Sequence, residues 1–502
     1  MPRHYLAATL ALVIAGMLVW VPAALFWFGI SPAGLFEESV GYRYFYSLRL
    51  AFGGEHPFLP QGQFPTLVHV IIQWTLSAFY PTDQLFPRID VFSFVAVAIP
   101  SALSAAAAYY ALTRLPWPGM ILTAACALLL LASPKLFSGV GWTAMPDYHV
   151  WTIPLAFLCL GLTLTDEPLT LRQATILGLV AGLAAGVKVT FCVFPLVPLA
   201  TRIPLDRRAL LLLVSFGMVA ALVYVAIIAL YAGANISAIR GFFESLGYFM
   251  RTQANTLPAD AWSQIWGYEL LLIYLLPVAL VATGIIFKQR AAFAAALALT
   301  LSLLFLGRRP YSHSLIEVHA IASLALGVMI AVIARHTEGA PQRRLILPSA
   351  AVAVLLVLFM FGPERVKGGT DMIQHMRETN RTYAEWRSRL TQPTWIATTS
   401  NDYRPQSIEG GLCKGSRGIF APDVSRYVTS LFPGFHCALS QKELTGVEGS
   451  SVGFVRVPPE SFADSRKRVE DYFSVSLATH DCQEIPSPGS FLIYCLPRRA
   501  GL

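Results

Sequence analysis

The chain has 502 residues and a mean hydropathy of +0.57; 55% of its residues are apolar and only 13% are charged. Because soluble domains carry roughly 25% charged residues, this composition excludes a cytosolic enzyme, a disordered chain and a fibrous protein. The net charge of +8 does not indicate a nucleic-acid partner, since many Lys and Arg residues lie in short loops between apolar runs, where they orient membrane spans beside anionic lipids.

Long apolar runs follow one another up to residue 361, and a membrane-spanning helix takes about 20 such residues. No cleavage site follows the first run, so we expect a retained span with a cytoplasmic N-terminus. The pattern predicts a polytopic α-helical membrane domain over 1–361, followed by a soluble α/β domain over 362–502. The eleven predicted transmembrane helices are 6–29, 91–112, 118–133, 150–165, 174–187, 189–201, 209–232, 268–287, 291–306, 315–334 and 345–361.

Two apolar runs do not fit a single ordinary span. Residues 174–201 are too long for one span, and Lys188 divides them. We interpret them as two spans, because only then do the later basic loops lie on the side of Arg3, in the positive-inside pattern. Residues 65–80 are short and flanked by prolines, so we interpret them as a helix at the outer interface. The outer segments are then 30–90, 134–149, 233–267, 307–314 and the C-terminal domain.

An acidic pair, Glu37-Glu38, lies in the first outer loop directly after the first span. A carboxylate at the membrane surface can take the proton from a hydroxyl that arrives from the outer side, so either residue is a candidate catalytic base. A solvated interfacial pair is the structural alternative. Tyr42, Arg43 and His56 of the same loop are candidate substrate contacts.

Asp147 ends the second outer loop and precedes the span 150–165. Its carboxylate can orient a substrate hydroxyl, ligate a divalent cation such as Mg²⁺ or Mn²⁺, or cap the N-terminus of the helix. His149 follows two residues later. It is a candidate substrate contact or an interfacial histidine without a role.

Cations at the outer membrane face are candidate phosphate ligands. Lys188 lies at the outer junction of two short spans, where it pairs with a phosphate or extends to the interface as a snorkelling lysine. Arg308 and Arg309 lie in an outer turn against the positive-inside bias, and an Arg pair can grip a lipid phosphate bidentately. Arg251, in another outer loop, is a weaker member of this set.

His313 and His319 flank Glu317, where the same outer turn enters the span 315–334. Both histidines are candidate substrate contacts. The alternative is an intramembrane pair of Glu317 with a histidine or an arginine that has only a structural role. With the acidic pair and the cations, these groups lie on one membrane face, which suits a substrate with an anionic head and an apolar tail.

The C-terminal domain carries four of the seven cysteines, and the topology places it outside. An even number of cysteines in an oxidising compartment predicts disulfides. Order along the chain favours Cys413–Cys437 and Cys482–Cys495 over the two other pairings. Strand-like runs at 394–399, 452–457 and 490–496 and helix-like runs at 371–390 and 461–472 indicate a small α/β module.

Several motifs follow one another in a distinctive order along residues 1–325. They are Phe36-Glu37-Glu38, Tyr42-Arg43, Phe64-Pro65-Thr66-Leu67, Phe79-Tyr80 with Arg88, Met145-Pro146-Asp147, the glycine-rich run from Gly178 to Lys188, and Ser312-His313-Ser314. This layout resembles the GT-C superfamily of lipid-dependent glycosyltransferases, nearest to the branch of the lipid A aminoarabinose transferase and the protein O-mannosyltransferases. Two glutamates stand where the family usually has an Asp, and the usual Lys-Pro-Pro start of the proline-led helix is missing.

This resemblance implies an inverting transfer of a sugar from a polyprenyl-phosphate donor to a hydroxyl of an envelope glycan or lipid acceptor. It implies that the acidic pair holds the base, that Asp147 assists at the acceptor or a metal, and that Lys188 and the late outer arginines hold the donor phosphate. The expected location is the bacterial inner membrane, with the C-terminal domain in the periplasm.

Two other functions stay open at this stage. An O-antigen-type polymerase or ligase, which uses a polyprenyl-diphosphate glycan, would share the outer cations but not depend on the acidic pair. A lipid or sugar transporter would place its polar groups at the bilayer midplane, often in an inverted repeat. The polar groups of this chain cluster instead at one face, which favours the glycosyltransferase.

Overall fold

The chain folds into two compact units. The first comprises Met1–Val21, Leu59–Pro65 and Val97–Arg365, and the second Pro22–Phe58, Thr66–Ala96 and Val366–Leu502. The domain boundary predicted at residue 361 stays a prediction. The computed structural model describes residues 3–27, 43–44, 47–48, 50–52, 62–80, 85–131, 148–165, 167–243, 268–308, 315–336, 394–397, 435–438, 451–456, 459–473, 476–487 and 490–498.

Ten of the eleven predicted spans coincide with helices in this part of the chain. The eleventh, 345–361, and the helix-like run 371–390 lie outside the described residues. The helices are α1 (Arg3–Trp27), α2 (Gln63–Ser77), α3 (Leu85–Leu112), α4 (Trp117–Leu131), α5 (Thr152–Thr163), α6 (Leu171–Val187), α7 (Val193–Arg202), α8 (Arg208–Tyr231), α9 (Tyr268–Phe287), α10 (Arg290–Arg308) and α11 (Leu315–His336).

Two helical stretches among the described residues are long and apolar enough to cross a membrane by length and composition alone. They are Val91–Leu112 and Arg208–Tyr231, and further apolar helices in the described ranges are shorter. The helical character of ten of the eleven predicted runs is confirmed. The number of spans and their orientation stay predictions.

Helices α6 and α8 pack closely through glycines at every fourth position of α6. A Cβ added to Gly182 would lie 2.6 Å from the Cβ of Val223 and 2.7 Å from the carbonyl oxygen of Ala220. A Cβ added to Gly178 would lie 2.6 Å from the carbonyl oxygen of Phe216. Small residues at such a contact let two helix backbones approach each other, which is common between membrane helices. This packing fixes the course of α6 and hence the position of its C-terminal end.

The helical conformation is interrupted at Lys188, between α6 and α7, as the two-span interpretation predicts. Lys188 has an extended backbone (φ −159°, ψ 134°) and is followed by a 3₁₀ turn, Val189–Cys192. The far ends of the two helices are tied together by Arg202. Its Nε donates to the carbonyl oxygen of Glu167 at 2.9 Å, and its Nη2 donates to Oε1 of Gln173 at 2.9 Å. Helices α6 and α7 therefore form an antiparallel pair with Lys188 at the connection.

Helix α2 buries polar side chains and exposes apolar ones. Thr66, His69 and Gln73 are buried, and Nε2 of Gln73 lies 3.2 Å from both the carbonyl oxygen of Tyr44 and Oγ of Ser47. Val70, Ile72 and Leu76 are buried beside these polar groups. The exposed apolar residues are Ile71 and Trp74 on the helix and Phe79 just after its end.

A five-stranded sheet forms the described part of the C-terminal region, in the order β2-β1-β3-β5-β4. Strand β1 pairs in parallel with β2 and β3, whereas β5 pairs antiparallel with β3 and β4. The predicted strand-like runs are β1, β3 and β5, and the predicted helix 461–472 is α12. The bounds are β1 (Thr394–Ala397), β2 (Phe435–Ala438), β3 (Ser451–Arg456), α12 (Phe462–Phe473), β4 (His480–Ser487) and β5 (Ser490–Pro497).

Charged side chains brace this sheet around a small apolar core. Val469 of α12 is buried with Phe454 and Ile493 of the sheet. Nε and Nη2 of Arg456 donate to the two carboxylate oxygens of Glu484 at 2.7 and 3.0 Å, a bidentate pair. The third guanidinium nitrogen, Nη1, donates to a backbone carbonyl at 2.8 Å. Arg456 is thus fully engaged in holding the sheet.

Candidate functional site

The structure describes only part of the predicted site. The side chains of Lys188, Arg43, Cys482 and Cys495 are described. For Arg308, His149, His319 and Cys437 the backbone alone is described, at the end of α10, before α5, in α11 and in β2. The predicted roles of the other residues stay predictions. Outside the described residues lie Glu37, Glu38, Tyr42, His56, Asp147, Arg251, Arg309, His313 and Cys413.

Lys188 occupies a backbone position that is fixed on both sides. Its N–H donates to the carbonyl oxygen of Ala184 at 2.9 Å and closes α6, while its own carbonyl accepts from the N–H of Phe191 at 2.8 Å. Its side chain is half-buried. A cation at the C-terminal end of a helix is also favoured by the helix dipole. The ammonium is therefore presented from a rigid corner of the helical unit.

The segment around Gly62 and Phe64 contacts the C-terminal end of α6, next to Lys188. The N–H of Gly62 donates to the carbonyl oxygen of Val187 at 2.7 Å. Gly62 has φ 83°, a left-handed conformation that costs glycine little. Close by, a Cβ added to Gly186 would lie 3.3 Å from the Cβ of Phe64. The Phe64 side chain is thus held against the last turn of α6, beside Lys188.

An apolar groove of about 390 Å³ begins at this corner. Val187, which precedes Lys188, lines it, as do Phe64 and Trp151. Helices α3 and α6 follow the groove for about two turns, which is about 10 Å, and α5 follows it for about one turn. Its helical lining consists of Leu103, Ala106, Ala107 and Tyr110 from α3, Pro154, Leu155 and Leu158 from α5, and Val180, Leu183, Ala184 and Val187 from α6.

The groove is bounded at its other end by close packing between α3 and α5. A Cβ added to Gly161 would lie 2.3 Å from Cδ1 of Tyr110, so only glycine leaves room for this ring. The Tyr110 backbone carbonyl accepts from Nη1 of Arg114 at 2.7 Å, and the guanidinium carbon of Arg114 lies 3.6 Å from the centre of the Tyr110 ring. The groove thus ends at Tyr110, beside Arg114, and at Val187, the residue before Lys188.

Trp151 is a residue of this site that sequence reasoning missed. Its indole packs edge-to-face on the Phe64 ring, with the ring centres 5.3 Å apart, and only 7% of the residue is exposed. Its Nε1–H is buried, and no hydrogen-bond acceptor for it is present in the described structure. In the sequence it resembles one of the many tryptophans at the end of a membrane span. Only the burial of its donor marks it out.

Arg43, a predicted substrate contact, lies in the second compact unit and is 2% exposed. It precedes Tyr44, whose carbonyl oxygen accepts from Gln73. The structure therefore buries it next to a residue whose backbone is bound by helix α2. Its role toward a substrate stays a prediction.

The cysteines agree with the predicted compartment where they are described. Cys482 and Cys495 form a disulfide across the paired strands β4 and β5, which confirms this predicted bridge. Cys126, Cys159 and Cys192 of the helical unit are free thiols. Within the described residues, no group of three or more His, Cys, Asp or Glu side chains forms a metal site. The predicted divalent cation at Asp147 falls outside them.

No protein-family model matches the chain, and no curated protein is significantly similar to it in sequence. A solved structure to which it is similar is the archaeal oligosaccharyltransferase AglB from Archaeoglobus fulgidus, in complex with an inhibitory peptide and a dolichol-phosphate. The two chains are 12% identical, with a TM-score of 0.45, and the similarity covers 97% of this chain and 74% of that one. This score is too low to establish a common fold.

Proposed function

We propose that this chain is an inverting GT-C-type glycosyltransferase of the bacterial inner membrane. It moves a sugar from a polyprenyl-phosphate donor to a hydroxyl of a cell-envelope glycan or lipid. The observation that carries this proposal is the position of Lys188 at the end of α6, directly after Val187, which lines an apolar groove. The acidic pair and the outer arginines of the sequence supply the remaining chemistry.

The groove suits the part of an isoprenoid chain that lies next to its phosphate. Its volume of about 390 Å³ falls within the range of roughly 300–1,000 Å³ that is usual for ligand sites. Its lining is apolar apart from the polar atoms of Tyr110 and Trp151. A water-soluble substrate gains little from such a surface, whereas a lipid tail is stabilised along its whole length.

Lys188 supports the assignment of the phosphate to the other end of the groove. An ammonium is a point-charge partner for a phosphate, and its interaction strengthens where the surroundings exclude water. The residue projects from a fixed helix break, so little ordering of the backbone is needed when the donor binds. By the predicted topology this end of the groove lies at the outer membrane face.

The proposed reaction is a single displacement. The acceptor oxygen forms a bond to the anomeric carbon of the sugar while the bond from that carbon to the phosphate oxygen breaks, with inversion. Glu37 or Glu38 accepts the hydroxyl proton, and Asp147 orients the acceptor. Negative charge develops on the departing polyprenyl phosphate, where Lys188 and the arginines Arg308 and Arg309 stabilise it.

The disulfide in the sheet supports transfer outside the cytoplasm. Disulfides such as Cys482–Cys495 persist in oxidising compartments, of which the bacterial periplasm is one. We assign the C-terminal domain to the periplasm and the N-terminus to the cytoplasm. A domain in that position docks the acceptor or covers the site.

The proposal is tested with purified protein in lipid nanodiscs and a panel of polyprenyl-phosphate sugars. We expect release of free polyprenyl phosphate from one donor when the acceptor is present, and loss of release in the Glu37→Ala/Glu38→Ala variant. A parallel reaction with EDTA shows whether a divalent cation takes part. Binding and turnover are measured separately, because a missing acceptor abolishes only turnover.

Two results would replace the proposal with one of its alternatives. Release that does not change when the acidic pair is removed would favour a ligase or polymerase acting on a diphosphate lipid. Absence of binding to every polyprenyl-phosphate donor would favour transport.

A further inference from the structure

The indole N–H of Trp151 is a buried hydrogen-bond donor without an acceptor in the described structure. The residue is 7% exposed, and its Nε1–H has no hydrogen-bond partner in the described structure. Most buried polar groups in proteins are hydrogen-bonded, because burying a donor without an acceptor is unfavourable. An indole N–H that is buried in an apolar surface without an acceptor is satisfied when a bound ligand supplies the acceptor.

The contacts of Trp151 place its ring at the end of the groove that is lined by Val187, the residue before Lys188. The ring lines the groove and packs edge-to-face on Phe64, with the ring centres 5.3 Å apart. Phe64 in turn lies against Gly186, two residues before Lys188, and Val187 lines the same groove. One aromatic side chain therefore connects the indole to the helix end that carries the ammonium.

The acceptor must belong to a molecule that has both an apolar tail and an oxygen at its head. An isoprenoid phosphate satisfies both conditions, since its chain fills the groove and its phosphate oxygens reach the head. Charged acceptors form stronger hydrogen bonds than neutral ones, and an N–H donor and an ammonium address different oxygens of one phosphate.

We propose that Trp151 is a further ligand-binding residue of this site, and that its Nε1–H donates to a phosphate oxygen of the isoprenoid phosphate whose charge Lys188 neutralises. This inference rests on the proposed function for the identity of the lipid. It adds that the phosphate is held from two elements, by the 3₁₀ turn before α5 through Trp151 and by the end of α6 through Lys188.

The test compares Trp151→Phe with Trp117→Phe in nanodiscs. Phenylalanine keeps an aromatic ring against Phe64 and removes only the indole donor, whereas Trp117 is an exposed residue at the start of α4, remote from the groove lining. We expect Trp151→Phe to weaken the binding of polyprenyl phosphate by about tenfold to a hundredfold, as loss of a hydrogen bond to a charged group does. Binding of the uncharged polyprenol should not change, and Trp117→Phe should bind both lipids normally.

Two further arms identify the source of the phosphate. Inorganic phosphate tests whether the head group alone is recognised, and nanodiscs with and without phosphatidylglycerol test whether an ordinary phospholipid occupies the groove. We expect neither to compete with polyprenyl phosphate. Competition by phosphatidylglycerol at its membrane concentration would overturn the assignment to an isoprenoid lipid.

A spectroscopic measurement makes the test independent of the variant's stability. In protein labelled with ¹⁵N at the tryptophan indoles, Trp151→Phe assigns the Trp151 resonance by its disappearance. On addition of polyprenyl phosphate to the wild-type protein, the Trp151 indole proton should shift downfield, as a donor does when it acquires an anionic acceptor. The same addition of polyprenol should leave it in place, and an unmoved resonance with bound polyprenyl phosphate would overturn the inference.

Failure of this inference and failure of the proposed function give different results. If release of polyprenyl phosphate does not change when the acidic pair is removed but Trp151→Phe weakens polyprenyl-phosphate binding, the proposed transfer mechanism fails and the Trp151 contact stands. If a donor is turned over and Trp151→Phe binds polyprenyl phosphate like the wild type, the contact fails and the transferase assignment stands.

Discussion

The helical unit and the C-terminal sheet use charged side chains for different purposes. In the sheet, Arg456 engages Glu484 through two nitrogens and a backbone carbonyl through the third, so its charge serves the fold. In the helical unit, two backbone hydrogen bonds fix the position of Lys188, and the preceding residue, Val187, lines an apolar groove. Helices there are joined by close backbone contact at glycines. The comparison contrasts a charge that holds a sheet together with a charge that follows the end of an apolar groove, where we propose that it binds a ligand.

The largest effect should be a loss of transfer when Lys188 is replaced, with no such loss when Arg456 is replaced. We expect Lys188→Ala to lower transfer by about 100-fold to 1,000-fold, as loss of a group that stabilises transition-state charge does. The matched variant Arg456→Ala should retain transfer and lower the protection of the sheet amides in hydrogen exchange. Wild-type turnover by Lys188→Ala would remove the distinction between the two regions.

The next effect concerns the contact between α6 and α8. Gly182→Val places atoms where Val223 and the backbone of Ala220 already lie, and overpacking of this kind costs about 3 kcal/mol. Thermal denaturation in nanodiscs should show the loss, together with faster hydrogen exchange in both helices. The control is Gly217→Ala in α8, where nothing lies within 4 Å of the added Cβ. Equal stability of the two variants would contradict the close packing.

Loss of the disulfide should lower the stability of the sheet and leave the stability of the helical unit unchanged. Reduction of Cys482–Cys495, which closes a loop of 13 residues in sequence separation, should cost the sheet about 2 to 3 kcal/mol. Hydrogen exchange in β4 and β5 should accelerate with reductant, while α6 and α8 stay unchanged. A variant with both cysteines replaced by serine should show the fast exchange with or without reductant. Destabilisation of the helical unit by reductant would show that the two regions do not differ as described.

The smallest effect is a pH dependence at Glu460. Burial raises the pKa of this carboxyl, but the hydrogen bonds and the charge of Arg468 lower it more, so the net pKa is lowered. Because the pKa of Glu460 is lower in the folded protein than in the unfolded chain, its ionised carboxylate stabilises the sheet at pH values above the ordinary pKa. This stabilisation is lost as the pH falls through the lowered pKa. Because the pair is partly exposed, we expect less than about 1 kcal/mol. Glu460→Gln should abolish the dependence in an acid titration followed by hydrogen exchange.

Much of the fold could be predicted because apolar runs, and the basic residues between them, are properties of short stretches of sequence. The runs gave ten helices, and the count of basic loops gave the break at Lys188 that the structure shows. The missed strands β2 and β4 are the two edges of the sheet. An edge strand has one unpaired side and need not be apolar, and β4 carries exposed polar residues such as Asp481 and Gln483. Such strands have little pattern to detect.

The candidate site was predictable only in its charges. Lys188 stands out in the sequence because a cation among apolar residues is costly. The groove depends on which faces of three helices meet, and a run of Leu and Ala does not specify this. Trp151 requires even more, since its significance lies in the absence of an acceptor near its buried N–H. Neighbouring side chains decide that, and the sequence does not order them in space.

The most direct measurement of the central claim is photo-crosslinking with a polyprenyl phosphate that carries a diazirine on the isoprene units nearest the phosphate. Mass spectrometry of the crosslinked protein in nanodiscs should find the label on groove residues such as Leu155, Leu158 and Leu183. Lys188→Ala should reduce the yield, and unlabelled polyprenyl phosphate should compete for it. Labelling confined to the exposed lipid-facing side of α8, unaffected by Lys188→Ala, would contradict the assignment of this groove to the donor lipid.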